Sequence, residues 1–372
     1  MKKRSLALLC ALCLCLPGCS SLLNREYSYS AAHTEYPVGD KSAVLQAENY
    51  QGLVNALLYF ITEHKDTGIV HVTYARDDVR VTSALDAACR EVCGEDPLGA
   101  YTVEDIQYSF EVFAAYCEVA IAITYAHTEE EVEAIVPLAG SSAIRQTVSA
   151  AMSSFADKSV FRVSYFTGDA GSLYQLVWQT WLDTPLALVK PEIRISLFPD
   201  SGTNRIIELS LKWPEEAQVL TERSAALEKQ ALELLERTAI VSEIFTPMSL
   251  LSSLKWASIY DPAGQGSAYA ALVEGRGNSL GFTQALRLLC QLSDLETTVV
   301  EGSAGGEKQY WLIVNTSEGY RHLDPAQDQP DYATDEEFAA AGYEWDAQHY
   351  PACVEYASFA DSGTSGAMGG QG

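Results

Sequence analysis

Residues 267–289 read SAYAALVEGRGNSLGFTQALRLL. A glycine-rich loop, Gly275-Arg276-Gly277-Asn278-Ser279-Leu280-Gly281, opens a helix whose apolar stripe is Phe282, Ala285, Leu286 and Leu289. The glycines fall as GxGxxxG rather than the dinucleotide GxGxxG, and no strand is predicted just before them, so a nucleotide site is not read here. Working outward, residues 219–240 set Leu220, Leu227, Leu232, Leu234 and Leu235 among Glu, Lys and Arg, an amphipathic helix. Downstream, alternation predicts strands over 297–301 and 310–315, and then comes Tyr320-Arg321-His322-Leu323-Asp324-Pro325.

This order resembles the core of transglutaminase-like proteins, a branch of the papain-like cysteine enzymes. Their pattern is a Gly-rich loop, a nucleophilic Cys at a helix start, a strand with His two before Trp, and a strand ending in Asp-Pro. The resemblance covers about residues 242–353. It takes in Ala333-Thr334-Asp335-Glu336-Glu337-Phe338, Gly342-Tyr343-Glu344-Trp345-Asp346 and Tyr350-Pro351-Ala352-Cys353, a run similar to one in bacterial transglutaminase-like lipoproteins. It implies an α+β core, a helix packed on an antiparallel sheet. It also implies triad-equivalent positions at Ser279, Gln309 and Asp324, a cleft walled by Tyr310 and Trp311, and neither cofactor nor metal.

The chemistry of such a site is demanding. A helix amino terminus and a neighbouring His lower a thiol's pKa from about 8.5 to roughly 3.5–7.5, and a carboxylate orients the imidazole. Here a serine stands for the Cys and a glutamine for the His, while Asp324 alone matches. The dipole does not make an alkoxide of a serine, and a Gln amide accepts no proton. Removing the nucleophile or the base of a triad lowers turnover by about 10⁶. His322, two before Asp324 on the same strand, is read as structural, and Cys290, about three turns into the helix, as a core thiol beyond the dipole's reach. Ser279 also suits a helix cap.

Residues 43–217 show the same order of signals twice, at about 43–138 and 139–217. In the first, helical runs at 50–64 and 81–92 alternate with strands at 69–74 and 117–125; in the second, helical runs at 144–156 and 172–182 alternate with strands at 160–166, 192–198 and 205–213. Each copy ends at an acidic helix start. Thr128-Glu129-Glu130-Glu131 reads as a capping box, and Pro214-Glu215-Glu216 as a first-turn proline with acids at the positive end of the dipole. The expected fold class is α+β, a duplicated α/β module (43–217) followed by a transglutaminase-like core (218–360) and a flexible tail (361–372).

At the amino end, Lys2, Lys3 and Arg4 precede an apolar stretch shorter than the ~20 residues that span a bilayer, the pattern of a secretory signal (1–18). Leu16-Pro17-Gly18-Cys19 resembles a bacterial lipobox, which implies lipidation of Cys19, with 19–42 as a polar tether. The expected location is extracytoplasmic, on the bacterial cell membrane. Asp+Glu 50 against Lys+Arg 24 gives −26, a charge that repels phosphate backbones and argues against nucleic-acid partners. Cys89 and Cys93 lie on a helical pattern, and Cys290 with Cys353 is an open disulfide pairing that export would permit. His64, His71 and His127 show no ligand spacing.

Three functional readings follow. The leading one is a cell-surface lipoprotein whose transglutaminase-like domain is inactive and binds a peptide or cell-envelope ligand. The second is an active amidase, peptidase or acyltransferase using Ser279 with a base from elsewhere. The third is a structural module that docks a partner.

Overall fold

Strand β1 (Leu45–Ala47) runs parallel to β2 (Thr67–Val72), with helix α1 (Tyr50–Thr62) between them. After α2 (Asp78–Glu95) and α3 (Pro97–Thr102), strands β3 (Val103–Val112) and β4 (Cys117–Tyr125) complete a sheet of order β1-β2-β4-β3, the last two pairings antiparallel. The computed structural model describes residues 44–355 apart from positions 76, 240, 241 and 243. The leader, Cys19, the tether and the tail lie outside the described residues. No described helix is long and apolar enough to cross a membrane.

The same layout follows again. Helix α4 (Glu129–Glu133) carries the Thr128–Glu131 capping box read from the sequence. Then β5 (Val136–Leu138), α5 (Gly140–Ser153), β6 (Lys158–Val163), α6 (Ala170–Leu182), β7 (Glu192–Phe198) and β8 (Arg205–Lys212) form a sheet of order β5-β6-β8-β7, again with one parallel and two antiparallel pairings. The likeness reaches single bonds. His64 and Phe155 both take positive φ after the first helix, at 46° and 53°. Lys65 N and Ala156 N then donate back to Phe60 O and Ala151 O, the six-to-one bond of a Schellman cap. An aromatic at or just past the end of the central strand donates to the carbonyl that follows: Tyr125 Oη to Lys65 O and Trp213 Nε1 to Ala156 O, both 3.0 Å.

Two expected boundaries move. β5 pairs in the second sheet, so 136–138 open the second copy rather than close the first. Pro214 lies before the next helix, α7 (Ala217–Glu236), whose N-cap is Glu216, and is not in its first turn. The break at 217/218 does not separate cores either. One hydrophobic cluster runs from Ile144 through Leu182 and Leu211 to Phe282, Leu289 and Leu323. The first copy keeps its own core around Leu53, Leu57, Val70 and Val119.

The carboxyl-terminal part has α8 (Phe245–Ala257), α9 (Ala268–Leu272), α10 (Ser279–Gln291) and α11 (Asp335–Ala340) around an antiparallel sheet of order β13-β12-β11-β14. Those strands are β11 (Thr297–Ala304), β12 (Glu307–Thr316), β13 (Gly319–Leu323) and β14 (Tyr343–Trp345). Alternation along β12 divides its side chains. Tyr310, Leu312 and Val314 face the α10 core, while Trp311 and Ile313 face a second cluster with Val300, Phe338, Tyr343 and Cys353. With helices and antiparallel sheets in one chain, the fold class is α+β.

Candidate functional site

Ser279 is the first residue of α10 and is 7% exposed. The cap is its neighbour: Asn278 Oδ1 accepts from Gly281 N at 3.1 Å, so Ser279 does not do that work. Gly281 is required by close approach, since a Cβ there would lie 3.0 Å from the carbonyls of Gln265 and Ser267. A two-residue parallel pairing of β9 (Ile259–Tyr260) with β10 (Arg276–Gly277) leads into the helix, a strand the sequence did not announce. On the α10 face one turn beyond Ser279, Thr283 Oγ1 donates to Tyr310 O at 2.9 Å, which ties the start of the helix to β12.

Across β12 and β13, Gln309 Nε2 donates to Asp324 Oδ2 at 2.9 Å. Tyr343 Oη donates to the same oxygen at 2.6 Å, and Ala326 N to Oδ1 at 2.8 Å. Asp324 is 1% exposed. Burial raises its pKa, opposed by the bonds from Tyr343, Gln309 and Ala326 and by the charge of Lys255. Lys255, on α8, donates to Gln327 O; burial lowers its pKa, while Asp328 and Asp324 pull the other way. Tyr260, 37% exposed, packs edge-on against Phe282 at 5.7 Å and feels the charge of Asp324.

The structure therefore joins Gln309 to Asp324 and sets Ser279 at the helix start. Two of the expected residues leave the site. Trp311 has no exposed surface and walls no cleft; it lies on the far side of the sheet, with Nε1 donating to His322 Nδ1 at 2.9 Å. Tyr310 is 8% exposed and packs toward α10, under the Lys308 ammonium. Tyr343, Tyr260 and Lys255 were missed. Nothing in spacing connects residues 255, 260 and 343 to Asp324.

Chemically, the carboxylate is occupied by three donors, and the amide that faces it carries no base. Among the described residues no side chain hydrogen-bonds the Ser279 hydroxyl. Serine attack requires a base in reach.

One group of metal-ligating types exists among the described residues: His322, Asp335 and Cys353, whose ligand atoms lie within 4.8 Å of one another. An indole N–H can only donate, so His322 Nδ1 carries a lone pair and the ring proton sits on Nε2, 2.8 Å from Asp335 Oδ1. A metal at Nε2 would move that proton to Nδ1, against the Trp311 N–H. The donor set does not fit a metal. It is a junction in which Asp335 Oδ2 also accepts from Cys353 N at 3.1 Å. Cys290 and Cys353 are free thiols in the two different clusters either side of the sheet, which overturns the open pairing; burial pushes both up to about 12.

This junction gives a pH prediction. Burial lowers the His322 pKa, against the pull of Asp335. A folded-state pKa below the unfolded ~6.5 means that unfolding takes up a proton, so this stability is present above that pH and is lost as pH falls below it. In His322→Gln the amide reproduces both bonds without titrating. The acid-side fall in Tm between pH 7.5 and 5 should flatten in that variant, and an unchanged slope would show that His322 does not titrate in this window. Asp324 contributes the opposite slope above pH ~3.9 in both proteins and cancels in the difference.

No family model matches the sequence, and no curated protein matches it. Among solved structures the chain is similar to a TGase, at 14% identity and TM-score 0.26, covering 52% of this chain and 57% of that one. It is also similar to a candidate cysteine protease from Cytophaga hutchinsonii, at 11% and 0.25, over 52% and 71% of the two chains. A candidate protease from Parabacteroides distasonis aligns at 9% and 0.23, over 71% of this chain and 40% of its own. The chain spans little more than half the length of the TGase that it matches.

Proposed function

We propose that this chain is a lipid-anchored, extracytoplasmic protein whose transglutaminase-like domain is not catalytic and acts by holding a peptide or cell-envelope ligand. The observation that carries the reading is the Gln309–Asp324 bond. The two positions that the resemblance pairs as base and orienting acid are in contact, with an amide in place of the imidazole. Among the described residues, no side chain hydrogen-bonds the Ser279 hydroxyl at the helix start. What remains is a nearly buried hydroxyl, the Oε1 of Gln309 and the partly exposed ring of Tyr260, groups that bind by hydrogen bonding and packing.

Restoration tests it. In Ser279→Cys/Gln309→His, the new imidazole can donate one N–H to Asp324 and offer its second nitrogen to the thiol. The double variant should react with a thiol-directed acylating probe with an onset well below the ordinary thiol pKa of about 8.5. The single Ser279→Cys variant should lag. A folded double variant no faster than the single one would place the site elsewhere. Turnover by the unmodified protein that vanishes in Ser279→Ala would overthrow the non-catalytic reading.

A further inference from the structure

Elsewhere, α8 and residues 328 and 330 line an open surface pocket of about 500 Å³, within the roughly 300–1,000 Å³ of small-molecule sites. Met248, Leu251, Ser252 and Lys255 follow one another at helical spacing along its α8 wall, and Asp328 and Pro330 complete the lining. Trp256 lines its mouth and is 93% exposed, a large flat apolar surface that packs on little of its own chain. Lys255 spends one of three donors on Gln327 O.

We propose that this cavity binds a sugar ring of a neutral glycan. The choice follows from elimination among the lining groups. Lys255 and Asp328 offset one another, so the lining favours neither sign of net charge. A wholly apolar ligand would strip water from both charged groups and return no hydrogen bond. A pyranose has an apolar C–H face for the indole of Trp256 and vicinal hydroxyls that donate to Asp328 and to Ser252 Oγ, whose own proton goes to Met248 O, and that accept from Lys255. The pocket shares Lys255 with the surroundings of Asp324, but none of Ser279, Gln309 and Asp324 lines it.

Titration of the purified full chain with chitotriose, cellotriose and maltotriose, followed by calorimetry and tryptophan fluorescence, tests this. At least one trisaccharide should bind saturably. Trp256→Ala should weaken it by about tenfold or more, and Asp328→Asn by about threefold or more. Trp256 is so exposed that its loss should leave Tm unchanged. The proposal is overturned by no saturable binding of any of the three. It is equally overturned by binding that survives Trp256→Ala, or by a Trp256 that responds to phosphatidylcholine vesicles and not to sugars.

Discussion

Replacing Trp311 by Ala should destabilise the protein by about 3–5 kcal/mol, the range for a large buried aromatic. The ring is fully buried between Phe338, Tyr343 and Trp345, with centroids 5.3, 5.3 and 6.0 Å away. It also lies so close over Gly302 that a Cβ there would be 2.4 Å from Trp311 Cη2. Its indole N–H is the donor that fixes the His322 tautomer, so Trp311→Ala leaves a buried acceptor unpaired, worth a further ~1–3 kcal/mol. Trp311→Phe keeps most of the volume and should show mainly that second loss. Urea midpoints measure both. A Trp311→Ala protein within about 1 kcal/mol of the parent would mean that the ring faces solvent, as the cleft reading required.

Asp183→Ala should be the second large loss, about 2–5 kcal/mol. β14 pairs with β11 only over Gly302–Ala304, so the edge of β11 ahead of it needs other partners. The second copy's α6 supplies them. Val299 N donates to Asp183 Oδ1 at 2.8 Å, and Gln179 Nε2 donates to Val299 O at 2.8 Å. Arg287 Nε lies 3.8 Å from the same carboxylate oxygen, and burial raises the Asp183 pKa against that pull. Alanine strands the buried Val299 amide and removes the counter-charge beside Arg287, which keeps its bond to Thr297 Oγ1. Asp183→Asn keeps an acceptor for Val299 N and should lose distinctly less. The Val299 amide reports directly, through hydrogen exchange that accelerates in the Ala variant. Equal losses for Ala and Asn, with Val299 exchange unchanged, would remove the clamp from the account of the fold.

The clamp also accounts for a hydrophobic cluster that crosses the expected boundary at 217/218. Composition and periodicity mark where one pattern ends and another begins, at α7, but say nothing about which faces are shared. Here the face of the second copy and the α10 side of the last sheet close on one core, which no local pattern encodes. The disulfide question has the same origin. Cys290 and Cys353 are far apart in sequence, and only the sheet between them decides that they never meet.

Some features were legible in the order of residues because their physics is local. The strand and helix alternation, the Thr128–Glu131 capping box and the helix opening at Ser279 depend on neighbours within a turn or two of chain. So did the two repeated patterns, since each copy carries its own turn and strand signals. The Gln309–Asp324 contact was reachable through a resemblance, but not its third partner, Tyr343. Which side of β12 faces what was decided only by tertiary structure. Strand alternation separates Tyr310 from Trp311, but the two clusters that receive them are built from α10 on one side and α11 with β14 on the other. A period of two tells that neighbours diverge; it takes the packed sheet to say that both directions lead inward, so that neither ring was free to wall a cleft.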